Sequence, residues 1–100
     1  MTTDVATSHN QEKHRYEAHI DGELAGFVTY RESVGLVTLN HTEVDDKFEG
    51  KGVGSALAKF ALDDLRADNT HRVLVTCPFI TKWIEKHPEY AEVLETPSED

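Results

Sequence analysis

The chain opens with alternating polar and apolar positions and passes, after residue 53, into a repeat of helical period. Tyr16, Ala18 and Ile20 interleave with Arg15, Glu17 and His19, the period of two expected of a strand with one buried face. Asp21-Gly22 supplies the positive φ values that a two-residue hairpin demands, so Glu23 to Arg31 is predicted to pair back on the first strand. Glu32-Ser33 reads as the next turn and Val34 to Val44 as a long third strand, completing an antiparallel meander. Val53, Ala56, Leu57, Phe60, Ala61 and Leu65 then form one apolar stripe, which predicts a helix over Val53–Asp68 with Asn69 as its left-handed stop. Arg72 to Cys77 reads as a short buried strand, and a strand-helix-strand connection implies parallel pairing with a right-handed crossover. Pro78 suits the first turn of a second helix, whose stripe is Phe79, Ile80, Trp83 and Ile84. His87 before Pro88 should break that helix, after which Tyr90, Val93 and Leu94 pack back.

The order β-β-β-α-β-α predicts a mixed α/β domain with helices against a mostly antiparallel sheet, spanning residues 12–96. Residues 1–11 hold only two small apolar residues after the first methionine, Val5 and Ala6, and read as a polar tail. Pro97 to Asp100 reads as another.

Between the third strand and the first helix lies Glu49-Gly50-Lys51-Gly52-Val53-Gly54-Ser55. Three glycines remove Cβ atoms from a sharp turn, so successive backbone N–H groups can converge on one anion, aided by the dipole of the helix that follows. Two phosphate motifs fit poorly. A loop of the G-x-x-x-x-G-K-[ST] type needs Gly-Lys-Ser or Gly-Lys-Thr at its end, whereas Lys51 lies between glycines here. A dinucleotide fingerprint needs a βαβ unit, and antiparallel strands precede this loop.

The loop closely resembles the pyrophosphate loop of the GNAT superfamily of N-acetyltransferases, [Gln/Arg]-x-x-Gly-x-[Gly/Ala], with Gly52 and Gly54 on its two defining positions and Glu49 departing from the usual Gln or Arg. The flanks resemble the very short, single-domain GNAT-like proteins: His41-Thr42-Glu43-Val44 before the loop, Cys77-Pro78-Phe79 after the next strand, and His87-Pro88-Glu89-Tyr90 beyond. The likeness runs roughly from Lys13 to Leu94. It implies a compact GNAT-like core whose third and fourth strands part beyond Val44 and Cys77, with the pantetheine arm of acetyl-CoA or CoA in the resulting V. It assigns the cofactor to Val44, Glu49, Gly50, Lys51, Gly52, Val53, Gly54, Ser55, Cys77 and Phe79. No metal is called for, and six His without paired Cys or a His-x-x-x-His spacing give no zinc pattern.

In such an enzyme an amine attacks the acetyl thioester directly. An alkylammonium with a pKa of about 10 must first lose a proton, and the leaving thiolate needs a donor. Glu43 and His41, two apart on a strand and so on one face, are the candidate bases, with Glu43 acting through a water and His41 as second choice. The bland alternative is that Glu43 pairs with a cation and His41 covers the strand edge. Cys77, at the start of the Pro78 helix, is the candidate donor or acetyl-accepting nucleophile, or else a small residue lining the acetyl pocket. Lys51 could meet a cofactor phosphate as a point charge. Lys82 reads as a surface residue, Trp83 as core, and Tyr90 as an outside choice for a phenol acid.

One hundred residues make one small domain, and 19 acidic against 10 basic residues, a net charge of −9, disfavour nucleic acid and anionic membrane while favouring a cationic acceptor. One Cys precludes an internal disulfide, and no leader-like or membrane-length apolar run is visible, pointing to the cytoplasm. The expected activity is acetyl transfer to a small-molecule or protein amine by a monomer or weak homodimer. The alternatives are a CoA-binding module without turnover and a partner-binding scaffold whose glycine loop is only a turn.

Overall fold

In the computed structural model, which describes residues 5–68 and 72–94, a mixed five-stranded sheet runs in the order β1-β2-β3-β4-β5. The strands are β1 (Ala6–Asn10), β2 (Arg15–Ile20), β3 (Glu23–Ser33), β4 (Leu36–Val44) and β5 (Arg72–Val75). Neighbours are antiparallel except β4 and β5, which are parallel and joined through helix α1 (Val53–Asp68). Helix α2 (Pro78–Lys86) follows, breaks at His87 as the His-Pro step predicts, and leads into a 3-10 turn over Pro88–Val93.

The mixed α/β class stands, with four corrections. Residues 6–10, read as part of a tail, form the edge strand β1. Its order comes from the backbone ladder to β2 and from polar side chains: His9 stacks on Tyr16 with ring centroids 4.3 Å apart and meets the Tyr30 hydroxyl at 2.6 Å. A count of apolar residues does not register such contacts. The second turn falls at Val34-Gly35 rather than at Glu32-Ser33, because Gly35 takes φ +72° and Ser33 still pairs with Leu36. Strand β5 ends at Val75, two residues early. The predicted stop at Asn69 and the tail from Pro97 lie outside the described residues.

The fourth correction positions the site. Thr29 pairs with His41 and Tyr30 with Leu39, so Asn40 is an extra residue in β4, a β-bulge whose side-chain carbonyl accepts from the Thr29 hydroxyl at 2.6 Å. Val37 and Leu39 point to the core before the bulge. After it the alternation is reset, and Thr42 and Val44 pair with core-facing Val28 and Gly26. The parallel pairing stops at the same place, with Leu39 opposite Val75 and a last bond from the Thr76 N–H to the Leu39 carbonyl at 3.0 Å. The two strands therefore part beyond Leu39, five residues earlier on β4 than expected.

The core lies between α1 and one face of the sheet. Leu57 and Leu62 from the helix, Tyr16, Val28, Leu39 and Val73 from the strands, and Ile80 from α2 are its largest fully buried members, together with Val53. The opposite face carries the alternate positions, including Arg15, Glu17, Phe27, Thr29, His41 and Glu43. Glu17 is the buried charge there. Arg15 Nε at 2.7 Å, seconded by Asn10 Nδ2 at 3.1 Å, holds its carboxyl below the usual carboxylate range against the opposing effect of burial.

Candidate functional site

Beyond β4 the chain turns over a 3-10 step, Asp46–Phe48, capped by the Asp45 carboxylate on the Lys47 N–H at 3.0 Å and anchored by buried Phe48. The Glu49 and Lys51 N–H groups donate back to the Asp46 and Phe48 carbonyls at 3.2 and 3.3 Å. Between and after them Gly50 and Gly52 take φ +83° and +79° with open space where a Cβ would stand, so their role is conformational. The first bond of the α1 ladder runs from the Ala56 N–H to the Gly52 carbonyl at 3.0 Å. The N–H groups of Val53, Gly54 and Ser55 come ahead of it and have no acceptor a turn earlier. No acidic side chain occupies this first turn.

Gly54 serves another purpose. A Cβ there would lie 2.6 Å from Phe79 Cζ, so the glycine makes room for an aromatic ring that remains 43% exposed at the start of α2. Gly26 does the same beneath the loop, where a Cβ would meet the Glu43 carbonyl at 2.6 Å and Val53 Cγ1 at 3.1 Å. A glycine inside a strand pattern was the available signal for that close approach.

These elements enclose an open cavity of about 440 Å³. Of the residues that the resemblance assigns to the cofactor, Val44, Glu49, Gly50, Gly52, Val53, Gly54, Ser55 and Phe79 line it, together with Thr42 and Phe48, which the sequence reading did not single out. Lys51 and Cys77 are not among its walls. Lys51 is exposed, and Cys77 is only 3% exposed, with its Sγ 3.1 Å from Thr42 Oγ1. Cys77 caps α2 through its backbone alone, its carbonyl accepting from the Thr81 N–H at 3.1 Å and hydroxyl at 3.0 Å.

His41 and Glu43 do share a face and meet at 3.2 Å from Nε2 to Oε1, but the bulge turns them to the side of β4 away from Thr42 and Val44. Both are well exposed. Trp83 is core, as read, and its Nε1–H donates to Ser55 Oγ at 2.8 Å, tying α2 to the first turn of α1. The Tyr90 hydroxyl donates to Asp63 Oδ1 at 2.8 Å; that carboxylate, then burial, pushes the phenol pKa up. Lys82 is exposed. A second hollow of about 390 Å³ includes His9, Tyr16, Tyr30 and Asp64 in its walls, which bond chiefly to one another, the Tyr16 hydroxyl donating to Asp64 Oδ2 at 3.0 Å. Burial first, then Glu32 and Asp64, raise the pKa of its Tyr30 phenol.

Residues 15–93 match the family model described as GCN5-related N-acetyl-transferase. The chain belongs to this family. Among curated GNAT-like relatives, Protein NATD1 of Bos taurus is 33% identical over 95 residues, covering 91% of this chain and 83% of that protein. The Homo sapiens protein is 30% identical with the same coverage. Solved acetyltransferase structures share the fold. A GCN5-like protein from Staphylococcus aureus superposes with a TM-score of 0.66 at 21% identity, covering 98% of this chain and 93% of its own. Ribosomal-protein-alanine N-acetyltransferase from Brucella melitensis biovar Abortus 2308 superposes at 0.60 and 15% identity, covering 100% and 96%. Within the GNAT frame the bulge at Asn40 is the device that opens β4 from β5, and the glycine loop closes one end of the opening. Among the described residues no helix is long and apolar enough to cross a membrane, and no three His, Cys, Asp or Glu side chains gather as metal ligands do.

Proposed function

We propose that this chain is an acetyl-CoA-dependent N-acetyltransferase that acts in the cytoplasm on a cationic amine. The observation that carries the reading is the start of α1, where two glycines at positive φ precede N–H groups outside the helix ladder, on the wall of a cavity that continues along β4. Such N–H groups suit a pyrophosphate, and the missing acidic side chain in the first turn leaves the helix dipole uncompensated for an anion. Glu49 is the one carboxylate on the wall, and its exposure lets solvent screen it. Val44 and Phe79 offer apolar contact for the pantetheine arm.

Acetyl-CoA supplies an activated thioester, and the residues of the chain must manage two protons. In this reading Glu43, on the exposed side of β4, takes the proton of an incoming ammonium through a water, with His41 at 3.2 Å as its neighbour. The net charge of −9 favours the approach of cations to the protein as a whole. The test is CoA release from acetyl-CoA with spermidine, kanamycin and a lysine-containing peptide as acceptors. Glu43→Gln is expected to lower kcat by about 100-fold or more with the KM for acetyl-CoA unchanged. A Gln variant as fast as the parent would remove Glu43 from the mechanism. No CoA release with any of these amines would favour a CoA-binding module, a reading that the place of Glu43 outside the cavity lining also supports.

A further inference from the structure

Cys77 poses a problem for the transferase reading. Its thiol is the natural proton source near the cavity, yet it is 3% exposed and does not line the wall. Thr42 stands between. Thr42 is among the residues that line the cavity, it is half-buried, and its Oγ1 is 3.1 Å from Cys77 Sγ, a distance at which either atom can donate. The bulge at Asn40 brings it there, since if Asn40 paired regularly with Thr29, His41 and Glu43 would take the inward positions and Thr42 would face away.

We propose that Thr42 is a catalytic residue that passes a proton from Cys77 to the departing thiolate, with Cys77 as the positioning residue behind it. The proposal rests on the acetyl-transfer reading above. As the amine nitrogen bonds to the acetyl carbon, the carbon–sulfur bond breaks and its electron pair goes to sulfur. The Thr42 hydroxyl proton moves to that sulfur while the Cys77 S–H proton moves to the Thr42 oxygen. CoA leaves as a thiol, Thr42 is again a hydroxyl, and Cys77, now a thiolate, regains a proton from solvent, which has received those of the amine. No other reactant is needed. The proton passes from one thiol to another, and the hydroxyl acts only as a bridge. A threonine suits the bridge because its β-branched side chain is stiff at χ1.

A merely structural role for the contact is the rival, since the same pair joins β4 to the start of α2 across the split. Kinetics of acetyl-CoA with spermidine, kanamycin or the lysine-containing peptide, whichever the parent protein accepts, separates the two. Thr42→Val keeps the shape and removes the bridge, and it is expected to lower kcat by about 100-fold while the KM for acetyl-CoA changes less than about threefold. Thr42→Ser restores the hydroxyl and should recover most of the rate. Cys77→Ala should lower kcat as well, and the Thr42→Val/Cys77→Ala pair should be no slower than Thr42→Val alone, because the two residues act in series. A melt of each variant with CoA confirms a folded, binding-competent protein. Equal kcat for the parent and Thr42→Val, a Thr42→Ser variant as slow as Thr42→Val, or fully multiplicative losses would overturn the relay and leave the transferase reading in place. No CoA release by the parent protein would remove that reading, and the relay with it.

Discussion

Acetyl-CoA is expected to stabilise the parent protein, and a Gly52→Val protein is expected to remain folded and to lack that stabilisation. Gly52 holds φ +79° at the residue whose carbonyl accepts the first bond of the α1 ladder. A β-branched residue is a poor occupant of that conformation, which costs an ordinary side chain roughly 1–2 kcal/mol. Space is not the issue, since nothing stands within 4 Å of the position a Cβ would take. The loop is expected to relax towards negative φ, turning the N–H groups of Val53, Gly54 and Ser55 away from a common point. Against a total stability of about 5–15 kcal/mol for such a domain the strain is survivable. The lost binding is not small. A ligand at about 100 times its dissociation constant adds roughly 2.7 kcal/mol, a rise in Tm of roughly 10–20 °C for a domain of this size. Thermal melts of both proteins with and without acetyl-CoA check this. A variant stabilised as much as the parent would place the cofactor somewhere other than this loop.

The largest loss of stability is expected from Leu57→Ala. Leu57 is fully buried, one turn into α1, within the core that the helix forms with β2, β3 and β4. Removing three carbons from such a place costs about 2–5 kcal/mol, the spread reflecting how far the surroundings collapse into the cavity. That is roughly a third of the stability of a small domain, and a fall in Tm on the order of 10–40 °C. Urea denaturation gives the number directly. A change below about 1 kcal/mol would show that α1 is not packed on the sheet by this stripe.

What the sequence disclosed and what it hid have different physical origins. The limits of α1 were legible because an apolar stripe of helical period and a glycine start speak to local structure alone. The hairpin at Asp21-Gly22 was legible for a similar reason, both residues taking positive φ as the turn requires. Strand β1 was not, because His9 and Asn10 are held by partners on β2 and β3 that no pattern of hydrophobicity reveals. The bulge at Asn40 was the costliest omission. Counting by twos along Val34 to Val44 puts His41 and Glu43 on one face correctly, but only an extra residue opposite Thr29 and Tyr30 tells which face that is. It is also why Thr42 went unnoticed while its neighbours did not. A polar Asn amid β-branched and apolar residues of the strand was the faint signal available.

The measurement that bears most directly on the account is a titration of uniformly 15N-labelled protein with acetyl-CoA, followed by the backbone amide resonances. The cradle predicts that the amides of Gly50, Gly52, Val53, Gly54 and Ser55 move first and furthest, with Thr42, Val44 and Phe79 shifting as the pantetheine arm seats. Residues around the second hollow, Tyr16 and Tyr30 among them, should stay still. Shifts concentrated on that hollow, or no shifts at millimolar acetyl-CoA, would contradict the assignment of the glycine loop as the cofactor site.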